Sequence, residues 1–159
     1  MTRDLGLPLD GRLLGVDLGE VRVGIAISDP SQMIAHAVET CVVPRNDVAA
    51  MLTAVTQAIA THEPVGVVVG HPRQLDGRDG PKGAAARRFA TRLAAHIDCP
   101  VVLIDERFST VEAERGLIEA DLSRAKRKTV IEQVAATVVL QHALERQRLS
   151  RTSTDTSNS

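Results

Sequence analysis

Apolar and polar positions change their spacing as the chain proceeds, and the changes divide it into elements. From residue 12 the chain is briefly apolar and ends in an acid, Asp17, which reads as a short strand. After a turn at Gly19-Glu20, Val23, Ile25 and Ile27 alternate with Gly24, Ala26 and Ser28. That period of two gives a strand with one large-residue face and one small-residue face. Asp29-Pro30-Ser31 is a second turn, and residues 34–43 hold a third extended stretch. Three strands joined by short turns predict an antiparallel meander.

Beyond Pro44 the spacing becomes helical. Asp47 is a candidate N-cap, and Ala50, Leu52, Val55 and Ile59 carry a helix to about His62, where Pro64 stops it. Residues 65–69 and 101–104 are short, nearly continuous apolar runs, as expected of strands covered on both faces. Between them lie a Gly- and Pro-containing loop over 70–82 and a helix over 84–97, with Arg87, Arg88 and Arg92 among its exposed residues. Ser109 and Glu112 have capping-box spacing and open a helix to about Ala120. A basic stretch at 124–128 precedes a last helix over 130–148. The order β-β-β-α-β-α-β-α-α predicts an α/β fold with one mixed five-stranded sheet flanked by helices, three strands antiparallel and two parallel. One domain over residues 12–149 is expected, with a flexible arm at 1–11 and a disordered tail at 150–159 that lacks apolar residues.

Composition narrows the function. At 159 residues, 43% hydrophobic and 25% charged, the chain is an ordinary globular domain. No apolar run reaches the ~18 residues of a membrane helix. The first residues, MTRDLGLPLDGR, lack the apolar core of a secretory signal. Cys41 and Cys99 are too few for a disulfide scaffold, so a cytoplasmic protein is expected. The formal net charge of −1 confines any nucleic-acid site to a local patch. With no Trp, no Tyr and only Phe89 and Phe108, there is almost nothing for bases to stack on, which favours backbone, shape or structured-junction contacts over base readout.

The carboxylates carry the chemistry. Asp17 ends the first strand, while Asp105 and Glu106 end the last; parallel strands would gather these acids at one sheet edge, where ligands of such sheets sit. An Asp after a strand is also a common turn residue. Glu132 adds weight. Residues spaced from it at helical intervals are Ala135, Ala136, Val139, Leu140, Ala143 and Leu144, the most apolar stripe of the last helix. Glu132 therefore heads the face that packs on the sheet, although an acid near a helix N-terminus also suits the helix dipole. Converging carboxylates without His or Cys ligands select hard cations, Mg²⁺ or Mn²⁺. Two such ions ~3.5–4 Å apart suit in-line displacement at a phosphodiester. His71 at a strand end, Arg107 beside the acids, and Arg124, Lys126, Arg127 and Lys128 before the Glu132 helix are candidate phosphate contacts. A surface turn and a solvated linker are the ordinary alternatives for those segments.

Four stretches together resemble one family. GVDLGEVRVGIAISD (residues 15–29), VVVGHPRQLDGRDGP (67–81), DERFST (105–110) and RKTVIEQVAATVVLQ (127–141) are similar to the YqgF/RuvX family of bacterial nucleases, over residues 12–148. The resemblance implies an RNase H-like fold. It implies that Asp17 is the first-strand aspartate, that Asp105-Glu106-Arg107 is the DER motif and that Glu132 is the last-helix acid. It also implies a metal-dependent nuclease acting on structured nucleic acid, either maturing the 5′ end of 16S ribosomal RNA or resolving Holliday junctions in branched DNA. The protein would be a monomer or a homodimer; junction cleavage would require the dimer, because a two-fold substrate needs two active sites. Two departures stand out: the family's last-helix acid is usually Asp, and its GLP motif reads GHP here, with His71 in the Leu position. Two other classes remain open at this stage. One is a phosphate-binding ATPase of the actin and sugar-kinase type, for which the chain has length for only one of two domains. The other is a non-catalytic nucleic-acid-binding or assembly factor.

Overall fold

The computed structural model describes residues 5–72, 80–105 and 124–157, with side chains throughout except at 124–133 and 153–157. Five strands form one sheet: β1 (Leu13–Leu18), β2 (Arg22–Ser28), β3 (Ala35–Val42), β4 (Gly66–His71) and β5 (Val101–Asp105). Their order is β3-β2-β1-β4-β5. The pairs β1–β2 and β2–β3 are antiparallel, and β1–β4 and β4–β5 are parallel. This is the mixed sheet that the alternation predicts. The helix expected over 109–120 lies outside the described residues.

Helices cover both faces. On one side lie α1 (Val48–His62) and α2 (Pro81–His96). Asp47 caps α1 by accepting from the Ala50 amide at 3.0 Å. The helix ends at Glu63, whose left-handed backbone (φ 48°) lets its N–H reach the Ile59 carbonyl just before Pro64. α2 opens with Pro81 at its first position, where the missing N–H costs nothing. Met51, Val55, Phe89 and Leu93 pack here on Leu14, Val16, Val23, Ile25, Val67 and Val69.

The other face carries α3 (Arg124–Ser157). Ala135, Ala136, Val139, Leu140, Ala143 and Leu144 are all fully buried, the stripe that heads back to Glu132 in the sequence. They meet Leu13, Ala26, Val68 and Ile104. Alternate strand residues thus serve two cores, which is why β1 and β4 are apolar almost throughout.

Both termini of the domain differ from expectation. Residues 7 and 8 are docked: Leu7 is only 5% exposed, against Leu13 and Gly66, and the Pro8 carbonyl accepts from both Gln32 and Gln147. Leu7 and Pro8 are held by tertiary contacts that no local periodicity encodes. α3 begins at Arg124 and continues to Ser157, so the basic stretch and most of the expected tail are helical. Extension of an existing helix is cheap once its nucleus is formed. Arg151 also ties the extension to the Ser31 carbonyl at 3.2 Å and to Asp10 at 3.4 Å.

The β2–β3 turn is organised by Asp29. Its carboxylate accepts from the backbone N–H groups of Ser31, Met33 and Ile34. These bonds, that from Ile34 first, hold its pKa below the ordinary aspartate value despite some burial.

Candidate active site

The parallel register decides which strand ends meet. Val16 of β1 lies beside Val69 of β4, which lies beside Leu103 of β5; His71 is paired with Asp105. Asp17, His71 and Asp105 therefore stand at the same, carboxyl-terminal edge of the sheet. Asp17 is buried at 4% exposure and His71 at 5%, whereas Asp105 is exposed on the edge strand. Burial of His71 makes it part of the strand-end framework rather than an open surface contact. With strands ~4.8 Å apart, β1 and β5 are separated by about 10 Å. Asp105 follows Leu103 by two residues and so shares with His71 the sheet face covered by α1 and α2.

Gly15 sets the position of α3. A Cβ there would lie 2.7 Å from Leu140 Cβ and 3.0 Å from the Ala136 carbonyl oxygen, so only a glycine lets the helix backbone come this close. α3 runs antiparallel to β1: Ala136 and Leu140 face Gly15, while Gln147, further on, reaches Pro8, which precedes β1. Two strand residues from Gly15 to Asp17 advance about 6.6 Å. Four helix residues from Ala136 back to Glu132 advance about 6 Å in the same direction. The helix residues that precede Ala136, Glu132 among them, therefore lie toward the Asp17 end of β1. Alternation also directs Asp17 to the face that Gly15 presents to α3.

The remaining expected residues divide in two. Arg124, Lys126, Arg127 and Lys128 are in the opening turns of α3, not in a linker before it. Glu106 and Arg107 lie outside the described residues. Among the described residues no group of three or more His, Cys, Asp or Glu side chains is placed to hold a metal. Of the four expected ligands, this covers only the side chains of Asp17 and Asp105. Those two are oxygen donors, the chemistry that hard divalent cations require. The residue missed by sequence reasoning is Gly15, whose only signal was a glycine inside an otherwise apolar strand.

A mixed five-stranded sheet with acids at one strand edge and a helix crossing the central strand defines an RNase H-like protein. Comparison with solved structures gives the same fold: RuvC of Thermus thermophilus bound to a Holliday junction substrate superposes with a TM-score of 0.53. The identity is 15%, over 87% of this chain and 96% of that one. The family model for RuvX, described as Holliday junction resolvase, matches residues 11–146, and the chain belongs to this family. Relatives agree. A Streptomyces coelicolor protein named "Putative pre-16S rRNA nuclease" is 46% identical over 141 residues, 88% of this chain and 83% of the relative. A protein of the same name from Myxococcus xanthus is 44% identical over 137 residues, covering 86% and 89% of the two chains. No helix among the described residues is long and apolar enough to cross a membrane.

Proposed function

We propose that the protein is a cytoplasmic, metal-dependent nuclease that hydrolyses phosphodiester bonds in structured RNA and processes the 5′ end of pre-16S rRNA. The observation that carries this reading is the close approach at Gly15, which seats α3 against the strand that ends in the buried Asp17. Asp105, expected from the sequence to join the ligand set, is turned to the other face of the sheet by strand alternation. Asp17, Glu106 and Glu132 are the proposed ligand set. Mg²⁺ or Mn²⁺ bound to them would lower the pKa of an attacking water and stabilise the departing 3′-oxygen.

The protein's part is positional. Asp17 presents its carboxylate from a buried strand end, where few solvent molecules compete for it. Glu106, next in sequence after β5, is the proposed second oxygen donor. Glu132, one methylene longer than the usual aspartate, is the proposed donor from the helix. Arg107, Arg124, Lys126, Arg127 and Lys128 hold phosphates flanking the scissile bond, and His71 braces the strand end between the two aspartates.

The family description favours a second reading on the same chemistry, resolution of branched DNA. That reading needs a homodimer presenting two sites to a two-fold junction, whereas the RNA reading is met by a monomer. The chemistry is tested by cutting end-labelled pre-16S RNA in Mn²⁺ with the parent and with Asp17→Asn. Cleavage by the parent and none by the variant is expected; equal cleavage by both removes the carboxylate mechanism. Substituting a labelled four-way DNA junction decides between the two substrates.

A further inference from the structure

α2 is charged with a single sign. Its sequence, PKGAAARRFATRLAAH, holds Lys82, Arg87, Arg88 and Arg92 and no carboxylate, in a chain whose net charge is −1. Ala85, Arg88 and Arg92 are spaced i, i+3, i+7 and form one exposed stripe. Beside the first turns of this helix, between α1 and α2, is a cleft of about 410 Å³. That volume is within the range of small-ligand sites, roughly 300–1,000 Å³.

The cleft is built in two parts. Its floor is apolar: Leu18, Val48, Met51 and Phe89. Its rim carries Glu20, whose carboxylate is neutralised by Arg45, and Lys82, Arg88 and Asn46. None of the last three makes a side-chain hydrogen bond or ion pair with another described residue. Asn46 holds a left-handed backbone (φ 55°), fixed by a bond from its N–H to the Glu20 carbonyl. Asn is one of the few non-glycine residues that tolerate this region, and here it serves the turn that leads into α1.

The cleft's place in the sheet links it to the site. Leu18 lines it, and Asp17 is the preceding residue of the same strand end. Adjacent strand residues point to opposite faces, so Asp17 faces α3 and Leu18 faces the cleft. A nucleic-acid strand crossing the carboxyl-terminal sheet edge from Asp17 arrives at this cleft.

We infer that the α1–α2 cleft receives one unpaired nucleotide of the substrate. Its base lies on the floor formed by Met51 and Phe89, Asn46 offers amide donor and acceptor to the base edge, and Lys82 and Arg88 hold its phosphate. The apolar floor accepts the faces of any base, and the cations match the backbone charge. The inference deepens the nuclease reading and rests on it for the kind of polymer, an RNA or DNA strand.

The test is equilibrium binding without added divalent metal, so that hydrolysis is not read. The probes are fluorescein-labelled RNA hairpins, one blunt and one with a two-nucleotide unpaired extension, with DNA counterparts. The parent is expected to favour the extended RNA hairpin about tenfold, the worth of one stacked base. Ala85→Leu, which fills the mouth from an exposed position, is expected to erase the preference and leave the blunt hairpin unaffected. The double variant Lys82→Ala with Arg88→Ala should weaken the extended hairpin and reduce its log–log salt slope by about 2. Equal preference on DNA extends the site to any unpaired nucleotide, and its loss on DNA assigns it to ribonucleotides. Equal binding of blunt and extended hairpins by the parent overturns the inference. So does a preference that survives in Ala85→Leu of unchanged melting temperature. A preference that persists while Asp17→Asn cuts as well as the parent leaves the cleft standing and removes the hydrolytic reading.

Discussion

Gly15 on the central strand and Leu140 on α3 meet so closely that a single added methyl would bring the Cβ atoms to 2.7 Å. Both positions are backbone-anchored, so the contact cannot be relieved by a rotamer change. The helix must move.

Gly15→Ala therefore tests how α3 is positioned. Overpacking of this kind costs about 1–3 kcal/mol. For a domain of this size that lowers Tm by roughly 2–10 °C. Cleavage should fall further than stability, at least tenfold at a temperature where the variant is fully folded, because the displaced helix carries Glu132. Thermal melting and a cleavage assay on the same preparation check it.

Gln147 is the fixed point at the other end of that helix. It is fully buried, donates to the Pro8 carbonyl at 2.8 Å and to Gln32 Oε1 at 3.2 Å, and joins the arm, the β2–β3 turn and α3. Its own Oε1 has no partner among the described residues. Gln147→Ala strands the Gln32 acceptor and opens a cavity, a cost of about 2–3 kcal/mol. Gln32→Ala should cost a similar amount, and the double variant less than the sum, since the two amides share one bond. Urea denaturation measures all three.

Asp29 makes part of the stability acid-sensitive. Its folded pKa is lowered, first by the Ile34 N–H, so protons bind more tightly to the unfolded chain. The stabilisation is complete above the ordinary value of 3.8 and is lost as pH falls below it toward the folded pKa. Asp29→Asn keeps an acceptor oxygen but does not titrate. Its stability should decline less than the parent's between about pH 5 and 3, measured by urea midpoints across that range.

Much of the fold is legible because strands and helices are local. Asp47, Pro64 and the alternation of Val23, Ile25 and Ile27 mark their elements without reference to the rest of the chain. The strand-end acids are legible for the same reason, as polar residues that interrupt apolar runs. Leu7 is different. One leucine in a stretch containing Gly6, Pro8 and Gly11 has no period, and its burial depends on the gap that Gly66 leaves beside Leu13. The full extent of α3 was hidden too, because residues 149–157 lack an apolar stripe and are held by Arg151 reaching Ser31 and Asp10. Gly15 shows the same limit within the site. Its importance lies in what faces it, Leu140 and Ala136, more than 120 residues away in sequence. The α2 cations were visible as letters, but their cleft exists only once α1 packs beside them.

The central claim is that Asp17 and Glu132 hold the same set of divalent cations, and Mn²⁺ binding followed by electron paramagnetic resonance tests it most directly. The parent should bind Mn²⁺, Asp17→Asn and Glu132→Gln should each lose it by tenfold or more, and Glu132→Asp should retain it. Binding by Glu132→Gln equal to that of the parent would contradict the account.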